Sequence, residues 1–420
     1  MGLLREELSR EGITNLDVVA EGVARGIAAE AAADPLAFYD MFTRGGTDVE
    51  ATLVAPSGDE ASCIVFSQNV YLGLHRHPTL VARVQEAVAR YGVTSGGSPT
   101  GGGRCMLHME LAKRLAARTQ KEAAVIFPTG YTANVGALSS LPNRKDLIIM
   151  DHESHASMFD GVKLSGARWL VFRHNDVADL EAKLQLAQGR HPNVFVAIES
   201  VYSMSGDVAP VREIVALKRR YPFYLYVDEA HSFGIYGNQG GGYCATQGVQ
   251  DDVDFYMATM SKALASSGGF VAAKASMCAL IMSGTGAYFA HAAMTPASCA
   301  AALSALDLIE QEPQHAARLH EHAGYMRARL AELGFDFGAS VGPIIAIVVP
   351  DQDKLYELAA RIRHDGVFAL PMTFPVVPLD RGRLRFVITA AHTRQQIDRA
   401  VDALSRHARE LGLLQREVAR

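Results

Sequence analysis

Several absences narrow this chain before any motif is read. Its five cysteines, Cys63, Cys105, Cys244, Cys278 and Cys299, are odd in number and lack C-x-x-C spacing, which argues against a disulfide framework and against a structural zinc site. There is no long basic run, and at a net charge of -5 neither nucleic acid nor an anionic membrane is an expected partner. No apolar stretch reaches membrane-spanning length. The start, Met1-Gly2-Leu3-Leu4-Arg5-Glu6-Glu7, puts acids where a signal peptide needs its apolar core, so a cytoplasmic location is expected. Internal repeats and low-complexity linkers are missing too. What remains is an ordinary globular composition, 420 residues of which 49% are hydrophobic, enough for a large core and two or more lobes.

Residues 1 to 60 hold an alanine-rich helical stretch, Leu16 to Ala33, broken by Asp34-Pro35, and a short strand signal at Thr52-Leu53-Val54. They read as an arm plus part of a small domain. From 61 to 310, apolar runs (Val125 to Phe127, Leu147 to Met150, Trp169 to Phe172, Val194 to Ile198, Leu225 to Val227) alternate with helical patterns, as expected of an α/β domain with a mainly parallel sheet and crossover helices. From 311 to 420, a long helix after Glu312-Pro313, strands at Ile344 to Val349 and Leu384 to Ile388, and a closing helix from Thr393 suggest a smaller α+β domain.

The chemistry is suggested by a strand ending in Asp228-Glu229-Ala230-His231-Ser232 and a later run, Thr259-Met260-Ser261-Lys262-Ala263. Pyridoxal phosphate chemistry needs an amine to hold the cofactor as a Schiff base and a carboxylate to keep its ring nitrogen protonated. Lys262 and Asp228 suit those roles; alone, each also fits an exposed lysine or a strand-terminal turn. The segment Phe127-Pro128-Thr129-Gly130-Tyr131-Thr132-Ala133-Asn134 reads as a strand-to-helix turn. Its helix N-terminus can receive a phosphate, or it is an ordinary connection. His152 and His155 invite a metal reading, but no third ligand follows at sensible spacing. An imidazole can instead stack on a pyridine ring, and His155 is the candidate. The glycine cluster from Gly96 to Gly103 follows a helical pattern, His77 to Tyr91, and contains Pro99. It is therefore a poor dinucleotide fingerprint and reads as a flexible substrate-facing loop or a solvent turn.

Taken together, FSQNVYLGLHRHP (66 to 78), YGVTSGGS (91 to 98), FPTGYTANVG (127 to 136), DHESHASMFDG (151 to 161), ESVYSMSGDVAP (199 to 210), VDEAHSFGIYG (227 to 237), TMSKALASSGGF (259 to 270) and RLRFVITAAHT (383 to 393) resemble the α-oxoamine synthase family of fold-type I pyridoxal phosphate enzymes. The resemblance implies a mainly parallel seven-stranded sheet with a smaller α+β C-terminal domain, pyridoxal 5'-phosphate as cofactor, and a homodimer whose sites use both chains. It implies a decarboxylative condensation of a small amino acid with an acyl thioester, carried on coenzyme A or a carrier protein. Lys262 would hold the cofactor and move the alpha proton, Asp228 would pair with the ring nitrogen, His231 would bond the ring hydroxyl and His155 would stack on the ring. Gly130, Tyr131 and Thr259 would hold the phosphate, Ser203 would line the ring region, and Asn69 and Arg385 would meet the substrate carboxylate. Arg385 suits that last role because guanidinium and carboxylate pair in two-pronged geometry; the plain alternative is a surface arginine on an edge strand. A 2-amino-3-ketobutyrate ligase type of member, an aminotransferase or lyase, and an inert scaffold subunit stay open as alternatives, the last disfavoured by the presence of Lys262.

The chain departs from the family pattern in three places. Pro99 stands where an arginine is common and Arg104 where a threonine is, so the acyl-donor side is expected to be remodelled. His291, in Phe289-Ala290-His291-Ala292-Ala293, occupies a segment where hydroxyl residues often reach the neighbouring subunit's phosphate. Val387 replaces a common serine.

Overall fold

The computed structural model describes residues 15–33, 41–374, 376–378 and 380–414. The acidic start at Glu6 and Glu7 and the break at Asp34-Pro35 lie outside them. In chain order the strands are β1 (Phe42–Arg44), β2 (Glu50–Val54), β3 (Glu60–Val65), β4 (Ala123–Phe127), β5 (Leu147–Asp151), β6 (Arg168–Phe172), β7 (Val194–Glu199), β8 (Tyr224–Asp228), β9 (Phe255–Thr259), β10 (Gly269–Ala273), β11 (Ile344–Val348), β12 (Val367–Phe368), β13 (Leu370–Met372) and β14 (Arg383–Val387). The chain divides into two compact units, one of residues 69–203 and 207–318, the other of residues 1–68, 204–206 and 319–420.

The first unit is built on a seven-stranded sheet ordered β4-β10-β9-β8-β7-β5-β6. β9, β8, β7, β5 and β6 run parallel, and β10 lies antiparallel between β4 and β9. Every residue of β5, β7, β8 after Tyr224, and β9 is buried. That is the condition of parallel strands covered on both faces, and it is why they read as continuous apolar runs instead of alternating ones. Helices Ala156–Ser165, Val177–Ala187 and Val211–Leu217 make the crossovers. Phe127, Ile148, Met150, Tyr226, Phe255 and Met257, from β4, β5, β8 and β9, belong to one buried core cluster of this unit. Polar side chains fix where helices start: Thr129 accepts from Thr132 N–H, Asp176 from Asp179 and Thr295 from Ser298, each satisfying a donor the helix cannot.

The parallel register sets the acids. β7 ends at Glu199 and β8 at Asp228, and the two are direct neighbours across the sheet. The carboxyl ends of such strands are where open α/β sheets collect ligands.

In the second unit β14 lies between β11 and β13, antiparallel to both, while β12 extends the β1-β2-β3 sheet by pairing parallel to β3. Thr393 and Gln396 form a reciprocal cap at the start of helix Arg394–Glu410, the two-donor arrangement that fixes a helix beginning. Arg385 sits at the middle of β14, opposite Ala346 and Leu370, and is 4% exposed. It is a buried residue on a central strand and not a surface arginine on an edge. Among the described residues no helix is long and apolar enough to cross a membrane.

Candidate active site

At the carboxyl ends of β7, β8 and β9, a cavity of about 290 Å³ is walled by residues from separate motifs, among them Gly130, Tyr131, His155, Glu199, Asp228, His231, Thr259 and Lys262. Asp228 is held by two donors: Asn134 Nδ2 reaches its Oδ2 at 2.7 Å, and Ala230 N–H reaches its Oδ1 at 2.8 Å. Asn134 is fixed in turn, since its Oδ1 accepts from the Tyr226 hydroxyl at 2.7 Å and its Nδ2 also donates to Ser157 Oγ at 2.9 Å. The carboxylate is thus oriented by two hydrogen bonds, one to each oxygen.

Lys262 Nζ lies 2.7 Å from His231 Nε2, and His231 Nδ1 lies 2.6 Å from the Tyr71 hydroxyl. With the ammonium donating to Nε2, Nδ1 carries the ring hydrogen and donates to Tyr71, whose own hydroxyl points at Asn69 Oδ1 3.5 Å away. Asn69 therefore reaches the lysine through a relay of two side chains.

His155 opens helix Ala156–Ser165, where its Nδ1 contacts Ser157 Oγ at 2.7 Å. Burial lowers its pKa; Asp228 pulls it back up and Lys262 pushes it down. Glu199 is 2% exposed and its Oε1 has no hydrogen-bond partner. Burial first, and then the adjacent Asp228, push its carboxyl well above the usual range.

The far end of the cavity is the N-terminus of helix Gly130–Ser140. A Cβ at Gly130 would meet Thr259 Oγ1 at 2.8 Å, and one at Gly269 would come within 2.6 Å of Gly130 Cα. Only glycines let β10 and the helix start approach this closely. Thr259 Oγ1 donates to Gly268 O at 3.1 Å and sits 2.8 Å from Ser261 Oγ. Tyr131 turns its hydroxyl to Asp160.

Of the remaining residues singled out in the sequence, Ser203 lies 8% exposed on the turn where Tyr202 N–H donates to Asp207 O at 3.0 Å. It is not on the cavity wall. Arg385 belongs to the second unit. The departures at the glycine loop and at 289–296 meet one another: Ser95 Oγ donates to Met294 O at 2.6 Å, Ala293 N–H to Gly97 O at 2.9 Å, and Arg104 points at the Tyr288 hydroxyl at 3.4 Å. The loop closes on itself through Gly101 and Gly103 N–H, both bonded to Ser98 O.

A second polar group, away from the cavity wall, joins the ends of β5 and β6 to the turn after β7. His174 Nδ1 lies 2.8 Å from Asp151 Oδ1 and its Nε2 2.8 Å from Asp207 Oδ2. Burial opposes its charge, but the two carboxylates outweigh that and push its pKa up to about 10.

Tyr71, Asn134, Ser157, Glu199 and His174 carry this geometry and were given no role from sequence. The first four fall inside the quoted motifs, which was the one available signal. The donor set fits pyridoxal phosphate: an amine for covalent attachment, a carboxylate fixed in orientation by two hydrogen bonds, and a glycine-lined helix N-terminus for an anion.

The aminotransferase class I and II family model matches residues 61–404. The chain is 36% identical to a serine palmitoyltransferase of Bacteroides ovatus over 99% of this chain and 100% of that one. It is also 36% identical to an 8-amino-7-oxononanoate synthase of Alkaliphilus oremlandii over 84% and 89%. Among solved structures, serine palmitoyltransferase of Sphingomonas wittichii superposes with a TM-score of 0.86 at 28% identity, covering 93% of this chain and 97% of that one. A serine palmitoyltransferase structure with pyridoxal phosphate superposes at 0.87 and 28%, covering 97% and 99%. With this sheet, this strand-end cluster and these relatives, the chain belongs to the aminotransferase class I and II family and, within it, to the α-oxoamine synthase group of fold-type I pyridoxal phosphate enzymes.

Proposed function

We propose that the protein is an acyltransferase that joins a small amino acid to an acyl thioester, with loss of the amino acid's carboxylate as carbon dioxide and release of the thiol. The observation that carries this reading is the approach of Lys262 Nζ to His231 Nε2 at 2.7 Å on the wall of the cavity that Asp228 also lines, in a chain alignable end to end with a named condensing enzyme. When bound, pyridoxal phosphate supplies an electron sink for charge developing at the alpha carbon. Lys262 holds the cofactor and is the base that moves the alpha proton at Nζ. His231 accepts from that amine and, backed by Tyr71, keeps a fixed tautomer. Asp228 keeps the ring nitrogen protonated, helped by Asn134. His155, neutral because burial dominates, offers a ring face. Gly130, Tyr131 and Thr259 hold the phosphate. Asn69 and Arg385 recognise the amino acid's carboxylate, and the active unit is a homodimer in the cytoplasm. The serine palmitoyltransferases that match in sequence and superpose over nearly the whole chain support serine and a long acyl chain.

The test is to incubate cofactor-loaded protein with serine, alanine or glycine and a panel of acyl thioesters on coenzyme A and on carrier protein. Free thiol, carbon dioxide and product mass are then measured. Equimolar thiol and carbon dioxide with an α-oxoamine product are expected. Transfer of the amino group to an oxo acid without thiol release would instead make the protein an aminotransferase.

A further inference from the structure

The motif LHRHP (74–78) contributes histidines that the reaction above does not use. His77 caps helix Pro78–Tyr91, Glu312 ends helix Pro296–Gln311, and His315 stands in the first turn of helix Gln314–Glu332. Helices Pro78–Tyr91 and Pro296–Gln311 pack side by side, bringing the three side chains together. His77 Nε2 lies 3.4 Å from Glu312 Oε1 and His315 Nε2 lies 3.0 Å from Glu312 Oε2, with all three donor atoms within 4.8 Å of one another. The imidazoles stand edge to face at 6.2 Å. Each ring aims the same nitrogen at the carboxylate. His77 Nδ1 is enclosed and makes no hydrogen bond, so this ring's polar engagement is through Nε2. Gln314 Nε2 also reaches Glu312 Oε2, at 3.4 Å, and helps to orient it.

We propose that His77, Glu312 and His315 form a binding site for a divalent transition cation of the zinc type, separate from the pyridoxal phosphate cavity. Three arguments support it. Donors around a tetrahedral zinc, bonded at about 2.0–2.1 Å, lie about 3.3 Å apart, close to the two separations seen here. Two imidazoles and one carboxylate suit zinc, nickel or copper, whereas magnesium and calcium take oxygen ligands. The side chains are 21%, 31% and 21% exposed, buried enough to be oriented and open enough for an ion and a water to enter as fourth ligand. Since the ligands come from the ends of three helices, the ion pins the start of Pro78–Tyr91, the helix that leads into the glycine loop. The competing account is an acid that merely accepts hydrogen bonds from two histidines.

The experiment uses tag-free protein loaded with pyridoxal phosphate, so that the cofactor cavity is not open to metal. Zinc uptake is followed in competition with a chromophoric chelator, and cobalt(II) uptake through its visible d–d bands. One ion per chain is expected, with cobalt bands of a four-coordinate site. His77→Gln and His315→Gln should each weaken binding by about 100-fold or more, because losing even a partner one shell out costs about 10–100-fold. Cofactor absorbance and metal-free melting should stay unchanged in both, which shows that the variants fold. Glu312→Gln should weaken binding as well, while His191→Ala, a histidine elsewhere on the unit, should not. No uptake at about 10 µM zinc, well above the dissociation constants of structural zinc sites, would overturn the proposal. So would undiminished affinity in either histidine variant.

Discussion

His155 and His174 stand on successive connections of one sheet, after β5 and after β6, yet their surroundings drive them to opposite charge states. His155 contacts a serine hydroxyl and is driven neutral chiefly by burial. His174 is gripped by Asp151 and Asp207 at 2.8 Å each and is held cationic. The lesson is that a histidine's function follows its bonded neighbours. A hydroxyl leaves a neutral ring free to present its face to a cofactor, while two carboxylates convert the same ring into a fixed cation that ties the ends of β5 and β6 to the turn after β7. Chemistry and scaffolding occupy adjacent groups and should separate under mutation.

The largest effect should fall on chemistry alone. Lys262→Ala is expected to lower turnover by about four orders of magnitude or more, the scale seen when one member of an interdependent catalytic set is removed, with thermal melting little changed. Steady-state rates and calorimetry check both halves, and an active variant would remove the distinction between the two regions.

His174→Ala should do the reverse. It leaves Asp151, which is fully buried, and Asp207 without their cation, and breaking a buried pair from one side costs about 3–5 kcal/mol, read by denaturant unfolding. The pH dependence sharpens the point. Because the folded pKa of about 10 lies above the ordinary 6.5, the His174 contribution is fully present below pH 6.5 and is lost as pH rises through about 10. The wild type should lose stability over that window more steeply than His174→Ala, and parallel curves would contradict the raised pKa.

Asp228→Asn should cut alpha-proton exchange by about 10²–10³-fold, the range for deleting one preorganised electrostatic contact, as measured by deuterium incorporation into the amino acid. It should also lower the His155 pKa further, since Asp228 raises it more than Asp160 does. Histidine NMR titration reads that shift, and an unmoved His155 would mean the two groups are not coupled.

Arg385→Ala tests whether a buried cation in the second unit belongs with the chemistry or the scaffold. The amino-acid dissociation constant should rise by about 10–100-fold, as expected for losing a charged hydrogen-bonded pair, with the acyl-thioester KM nearly unchanged. Arg385→Lys should recover part of it. A stability loss with intact amino-acid affinity would place Arg385 in the scaffold.

Much of the first unit's sheet was legible because its strands make short apolar runs: β5, β7 and β8 as buried parallel strands, β4 although it pairs antiparallel to β10, and β6 although Trp169 and Leu170 are exposed. β10 did not read as a strand because its sequence, Gly269-Phe270-Val271-Ala272-Ala273, begins with the glycine needed against Gly130 and ends in alanines of low strand preference. β12 and β13 are two and three residues long and carry Gly366 and Pro371 at or beside them, too brief for any period to show. In the site, Lys262, Asp228, His231 and His155 announced themselves by residue type in a recognisable string. Tyr71, Asn134 and Ser157 did not, since their part depends on hydrogen bonds to groups 160, 94 and 23 positions away. Glu199 was hidden because its charge state depends on a neighbouring strand's register.

The contact of Gly130 with Gly269 also limits how this enzyme can be re-engineered. A methyl group at Gly269 collides with the Gly130 backbone and one at Gly130 collides with the Thr259 side chain, so substitution at those two positions is a poor way to reshape the anion end of the cavity. Variation that retunes the protein toward other substrates is therefore confined to walls where side chains meet side chains, and the two-glycine seam acts as the invariant datum from which every such redesign has to be measured.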